Sequence, residues 1–281
     1  MSNATAIPFG KTLRVGLLHA GLALLAVLTL APLVWMLAAS LMPAGEAAQY
    51  PPRLWPSEPT LEHYRALFTR LNLGRAALNS FVLATTVTLL STLVNAAAGY
   101  AFAKFDFRGR DGLFRTLLAA LVVPAQVAML PLFLLLKELG AINTYWGVVV
   151  PGLASVFGIF LVRQFALSIP DDLLDAARVD GAGEGWLFFR IVLPLLRPIL
   201  VTLALFTFMG VWNDFMWPLI VLTDDRLYTL PVALANLLGE HAQDTELMMA
   251  GAVLTVAPVL VLFLALQRQY IEGIMVGSVK G

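Results

Sequence analysis

Few residues of this chain have the types and the spacing that catalysis needs. Its three histidines, His19, His63 and His241, stand far apart, and none has a second histidine or a carboxylate at metal-ligand spacing. The chain contains no cysteine, which excludes a thiolate nucleophile and a cysteine metal site. A hydrolytic centre needs a nucleophile, a base and an orienting group that meet in space. The pattern therefore predicts no catalytic residue and no metal site.

A nucleotide-binding loop is not expected either. Gly10, Lys11 and Thr12 resemble the end of a P-loop, but Thr5 stands where the motif has its first glycine, and no strand precedes it. We therefore expect no ATP or Mg²⁺ as a cofactor of this chain.

Some polar side chains stand within long apolar segments. Asn213 and Asp214 lie between Trp212 and Trp217, and Gln126 lies in another segment. Amides and carboxylates hydrogen-bond hydroxyls and indole rings cover sugar faces, so these residues suit a pathway for a polyol. An acid within a membrane span costs on the order of 3 kcal/mol, so Asp214 is expected to face the bundle interior, a polar cavity or the outer interface. Equally open is a structural role, with Asn213 and Asp214 in helix–helix hydrogen bonds and the tryptophans in an aromatic belt.

A charged, glycine-rich loop at residues 168–194 separates two of the apolar segments and must lie outside the lipid. Pro170 precedes a predicted short helix, and Asp171 and Asp172 fall in its first turn, where acids favour the helix dipole. Gly181 is expected to end it.

This predicted helix has an apolar stripe formed by Leu173, Leu174 and Ala177, with charged residues around the rest of its surface. Small residues at Ala176 and Ala177 let another backbone approach closely. The pattern predicts docking to a partner; the alternative is an amphipathic helix resting on lipid headgroups.

The composition indicates an integral membrane protein that positions this loop. The 281 residues are 59% hydrophobic and only 13% charged, and the mean hydropathy of +0.83 is outside the usual range of soluble domains. Lysine and arginine together number 18, as do aspartate and glutamate, so the charge gives no indication of nucleic-acid binding.

We predict an all-α protein with six transmembrane helices. Residues 1–14 form a cytoplasmic N-terminus, 15–42 the first span, 43–78 an outer loop, 79–268 five further spans and 269–281 a cytoplasmic tail. The third and fifth of these spans are expected at 113–136 and 198–222, each as one crossing of the membrane. Positive residues are in excess in the segments assigned to the cytoplasm, which places both termini inside.

The loop resembles a motif of a known family. Asp175, Ala176 and Ala177, then Gly181, then the run IVLP at 191–194 resemble the EAA loop of permease subunits in binding-protein-dependent ABC importers. One position departs from that pattern, because Asp175 stands where the family usually has glutamate. The resemblance implies a type I importer fold in which the loop forms a coupling helix that enters a cleft of a separate ATPase subunit.

The residues that this resemblance assigns to ATPase coupling are Asp171, Leu173, Leu174, Asp175, Ala176, Ala177, Arg178, Gly181, Ile191, Leu193 and Pro194. Of these, Leu173, Leu174 and Ala177 are expected to bury in the cleft and Asp175 to meet a basic residue there.

Longer segments, among them the run WNDFMWPLIVLT and the tail ending GSVKG, resemble carbohydrate-type importer permeases similar to the smaller maltose permease subunit. Residues 79–268 then correspond to the ABC transmembrane type-1 domain, and the tail at 277–281 reaches toward the ATPase. The implied partners are a homologous second permease, two ATPase subunits that bind ATP and Mg²⁺, and an extracytoplasmic substrate-binding protein. Two alternatives are an ion-gradient-driven secondary transporter or channel and a structural membrane subunit.

Overall fold

The computed structural model describes residues 9–69, 72–240 and 244–278, with side chains at 14–69, 72–236 and 244–267. Thr5, His241 and the end of the predicted tail, 279–281, lie outside these residues. All regular structure in the described ranges is helical, without a strand, which confirms the all-α fold class. The chain divides into two compact units, residues 1–71 with 238–254 and residues 72–237 with 255–281.

The first unit contains α1 (Phe9–Ala39), α2 (Glu62–Thr69) and the first turns of α14 (Thr245–Ser278). Most side chains of α1 are exposed and apolar, as expected of a helix that faces lipid. Its C-terminal end packs into a small core with Met42, Ala47 and Met249.

Two buried acids organise the polar part of this unit. Glu46 accepts hydrogen bonds from the Arg53 guanidinium at 2.9 Å and the Ser57 backbone N–H at 3.1 Å. Glu246 accepts one from the Ala47 N–H at 2.7 Å. Buried carboxylates need such partners, so these bonds fix the turn after α1.

The second unit contains most of the helices. They are α3 (Leu73–Lys104), α4 (Arg110–Ala120), α5 (Ala125–Glu138), α6 (Tyr145–Val149), α7 (Val156–Ala166), α8 (Asp171–Val179), α9 (Glu184–Leu187), α10 (Leu193–Leu195), α11 (Arg197–Trp212), α12 (Met216–Val221) and most of α13 (Leu230–Glu240). Val150–Gly152 and Asp225–Leu227 are 3₁₀ turns, and Phe188–Val192 is a π-helical turn.

The long helix α3 is the axis of this unit, and α7 and α11 pack against it. A Cβ atom at Gly99 would lie 2.6 Å from the Val162 side chain and 2.9 Å from the Arg163 backbone N, so only glycine permits this approach of α3 to α7. Further along the interface, the buried Asn95 accepts a hydrogen bond from the Ser155 N–H at 2.9 Å. Ser155 is the N-cap of α7, so the Asn95 amide satisfies a backbone N–H at the break before this helix.

Among the described residues, four helical segments are long and apolar enough to cross a membrane, namely 14–39, 73–104, 145–166 and 245–267. The count rises to six if each of two bent helix pairs forms one span. One pair, α4 and α5, bends by 104°; the other, the helical segment 184–195 and α11, bends by 80°. The predicted number of spans is therefore the upper limit of what the helices allow.

Two predicted spans are not the straight crossings that hydropathy suggested. The third, 113–136, is interrupted at 121–124, where Pro124 adopts an extended conformation and removes a helical N–H. The fifth, 198–222, ends its first helix at Trp212 and restarts at Met216. At the C-terminus, α14 continues through 269–278, most of the predicted tail, because no proline after Pro258 stops the helix.

Candidate functional site

The loop predicted at 168–194 contains α8, and the start of this helix is bonded to the end of α3. The Lys104 ammonium donates to the Asp171 carboxylate and to the Ile169 carbonyl, each at 2.6 Å. The Lys104 side chain is 6% exposed, and these two hydrogen bonds offset the cost of burying it. Asp171 therefore contributes to positioning α8 within its own chain.

Gly181 ends α8 with a left-handed residue, φ +87°. The Gly181 N–H donates to the Arg178 carbonyl and the Ala182 N–H to the Ala177 carbonyl, each at 3.0 Å. This pair of bonds is the Schellman motif, in which glycine is favoured because it has no Cβ to strain. The predicted end of the helix is confirmed.

Arg178 links α8 to the segment that follows it. Its guanidinium donates to the Glu184 carboxylate at 2.8 Å and to the Asp175 carboxylate at 2.7 Å. These bonds, first that to Glu184, raise the pKa of Arg178 above its ordinary value. Asp175 thus has a cationic partner within this chain, and any basic residue of a partner would join or replace Arg178. Glu184 was not predicted from the sequence. It lies beyond Gly181, where the helix has ended and the helical repeat no longer shows which residues are neighbours.

The apolar stripe of α8 differs from the predicted one at one decisive residue. Leu174 is 1% exposed and packs in the chain's own core with Tyr100, Val162 and Phe188. The expectation that Leu174 enters a partner's cleft is therefore wrong, because burying it anchors the helix.

Besides its aspartates, α8 leaves three apolar residues exposed. Leu173 is 43% exposed and Val179 86% exposed, and Ala176 between them is also exposed. Positions three apart lie on neighbouring parts of a helix surface, so these side chains form one exposed stripe. Val179 was not predicted from the sequence, because the predicted apolar stripe through Leu174 lies on a different face of the helix.

The last residues of the loop, after α8, lie beside the core that holds Leu174. Ile191 and Leu193 pack against the same core as Leu174, whereas Pro194 is exposed. The π-helical turn Phe188–Val192 lies just before Pro194, a residue without the N–H that a regular helix needs.

The residues predicted to line a substrate pathway lie in different surroundings and do not form one site. Trp212 is 3% exposed, and its ring stacks on that of Phe208 with 5.9 Å between the centroids. Its indole N–H donates to the Thr255 carbonyl at 3.0 Å. The predicted contact of Trp212 with a polyol is therefore wrong. Asn213 is exposed and donates to the Met209 carbonyl of its own helix. Gln126 is exposed on α5.

Asp214 is the member of that set that lines a cavity, which has a volume of about 340 Å³. Trp217 lines the same cavity, and its indole N–H donates to the Gly147 carbonyl at 3.0 Å.

Comparison with known proteins identifies the family. The profile of the binding-protein-dependent transport system inner membrane component matches residues 95–274, a range that includes α8 and the helices on both sides of it. The chain belongs to this family. It is a multi-pass membrane permease component of an ABC importer and not an enzyme.

Several relatives match nearly the whole chain. The arabinooligosaccharides transport system permease protein AraQ of Halalkalibacterium halodurans is 38% identical over 268 residues, which cover 94% of this chain and 96% of that protein. The diacetylchitobiose uptake system permease protein NgcG of Streptomyces coelicolor is 32% identical, over 93% of this chain and 88% of that protein. The lactose transport system permease protein LacG of Rhizobium radiobacter is 32% identical, with coverage of 92% and 94%.

A solved structure has the same fold. It is a bacterial ABC transporter involved in the import of the acidic polysaccharide alginate, which superposes with a TM-score of 0.82 over 94% of this chain and 99% of that chain, at 21% identity.

Proposed function

We propose that this permease subunit carries a sugar or sugar derivative across the cytoplasmic membrane, driven by ATP that a separate subunit hydrolyses. The substrate class is supported by the relatives, whose names refer to arabinooligosaccharides, diacetylchitobiose and lactose. The assembly would contain a homologous second permease, two ATPase subunits and an extracytoplasmic binding protein. A second alginate transporter structure of this fold is a complex with a periplasmic protein that holds an alginate pentasaccharide, which supports the last of these partners.

The observation that carries the coupling mechanism is the division of α8 into an anchored face and a free face. Leu174 and the Lys104–Asp171 ion pair hold the helix to the bundle, while Leu173 and Val179 are exposed. A helix held in this way transmits force as a rigid body. When the ATPase subunits close on ATP, α8 moves with them, and the helices packed behind Leu174 switch the bundle between inward- and outward-facing states.

This mechanism requires α8 and both termini to lie on the cytoplasmic side. Lys104 is bonded to α8 and Arg178 lies on it, in keeping with the excess of positive residues in the segments assigned to that side.

Uptake by the reconstituted complex tests the proposal. Proteoliposomes that contain the full complex should accumulate labelled sugar when ATP and the binding protein are supplied, and not with ADP. Dissipating ion gradients with ionophores should leave that uptake unchanged. Uptake that proceeds without ATP and stops with the ionophores would instead favour the secondary transporter.

A further inference from the structure

Three helix breaks of the second unit meet at the cavity of about 340 Å³. Ala125 follows the break between α4 and α5, and Asp214 lies in the break between α11 and α12. Pro151 and Gly152 come from the 3₁₀ turn that separates α6 from α7. Irregular backbone at membrane depth is tolerated where it is buried in protein or lines a water-filled cavity. The convergence of the breaks indicates a site built into the fold.

The walls of this cavity are apolar apart from one carboxylate. Met129, Leu132, Val148 and Trp217 supply hydrocarbon and an aromatic ring. The two oxygens of an ionised Asp214 offer about four acceptor positions. The Trp217 backbone N–H, at 3.3 Å from Oδ1, takes up part of this capacity, which leaves the rest for a ligand.

We infer that the cavity binds one neutral sugar unit during transport, an inference that rests on the proposed function. Hydroxyl groups of the sugar donate to Asp214, and its C–H face packs on the apolar walls. Small-molecule pockets occupy about 300–1,000 Å³, so this cavity suits a single ring at a time. None of the described residues that line it is basic, so a carboxylate-bearing sugar would be repelled by Asp214.

A structural role for Asp214 is the competing explanation, because its carboxylate also caps the start of α12. Asp214→Asn separates the two roles, since an asparagine oxygen still accepts the Trp217 N–H but carries no charge. We expect this variant to lower the rate of sugar uptake about tenfold, because hydrogen bonds to charged groups are the stronger kind. ATP hydrolysis stimulated by the binding protein should remain.

Thiol labelling locates the sugar directly, because the chain has no cysteine of its own. Met129→Cys and Leu132→Cys place a thiol in the cavity wall, and Leu139→Cys, at an exposed position just beyond the same helix, is the matched control. Each variant complex is treated with a water-soluble methanethiosulfonate reagent, with and without ATP, in the presence of arabinotriose, lactose, diacetylchitobiose or an alginate oligosaccharide. The complex with the unaltered chain gives the background from other subunits.

We expect the transported neutral sugar to slow labelling in Met129→Cys or Leu132→Cys at least about threefold and to leave Leu139→Cys unaffected. Adding Asp214→Asn should abolish this protection. The inference is overturned if the cavity thiols never react, if sugar does not slow their labelling, or if all three positions are protected alike. In each of those cases ATP-driven uptake by the same complexes would show that the proposed function still stands.

Discussion

Leu174 and Lys104 hold α8 to the bundle by different forces. Leu174 contributes apolar burial against α3, α7 and residues that follow α8, and Lys104 contributes charge-assisted hydrogen bonds to the helix start. Replacing one of them therefore leaves the other in place, which makes the contribution of each measurable.

Leu174→Ala should destabilise the protein by about 2–5 kcal/mol, because it opens a cavity in the core. Leu173→Ala, one residue away but exposed, should cost less than about 0.5 kcal/mol. Thermal unfolding of the permease subunit purified without the ATPase measures both losses. In the full complex, ATPase stimulation by the binding protein should fall in Leu174→Ala. Equal stability losses in the two variants would contradict the assignment of Leu174 to the chain's own core.

Gly181 offers a second test at this scale, because a Cβ there meets no atom of the described residues within 4 Å. The penalty that these residues impose on a side chain is then that of the left-handed backbone, about 1–2 kcal/mol for a β-branched residue and less for asparagine. Gly181→Val should insert into the membrane and lose most uptake, whereas Gly181→Asn should keep much of it. The account of the helix end fails if valine and asparagine behave alike in vesicle uptake.

At the scale of helices, the ends of α8 were predictable from single residues, because Pro170 and Gly181 act locally on the backbone. Its buried face was not, because Leu173 and Leu174 are chemically identical and only the packing of α3, α7 and α11 chooses between them. The breaks at 121–124 and 213–215 were missed for a related reason. Hydropathy is averaged over a window of residues, so it detects an apolar segment but not a bend between two helices within that segment.

Asn95 provides a test of how the helices are held together. Its amide donates to the Ser91 hydroxyl and accepts from the Ser155 N–H, each at 2.9 Å, in a fully buried setting. Asn95→Ala leaves that N–H unsatisfied and should cost about 1–3 kcal/mol. Thr88→Val on the same helix is the control, because the Thr88 hydroxyl is buried without a hydrogen-bond partner among the described residues. Thermal unfolding in which Thr88→Val is the more damaging change would refute this role of Asn95.

At the scale of the whole molecule, the composition and the loop motif were sufficient to predict a membrane permease of this family, which the profile match at 95–274 confirms. Substrate residues were less predictable. Trp212, Asn213 and Asp214 are adjacent in sequence, yet only Asp214 lines the cavity, because the helix ends at Trp212 and turns its neighbours in different directions. Our central proposal is that α8 contacts the ATPase, and this contact can be observed only in the assembled transporter.

Site-specific cross-linking from Val179 tests that claim most directly. A Val179→Cys variant carrying a benzophenone photo-cross-linker, assembled into the complex in membranes, should give an adduct with the ATPase subunit. Leu61→Cys, exposed in the segment predicted to face outward, is the control and should give none. No ATPase adduct from Val179→Cys in a complex that hydrolyses ATP and transports sugar would contradict the account.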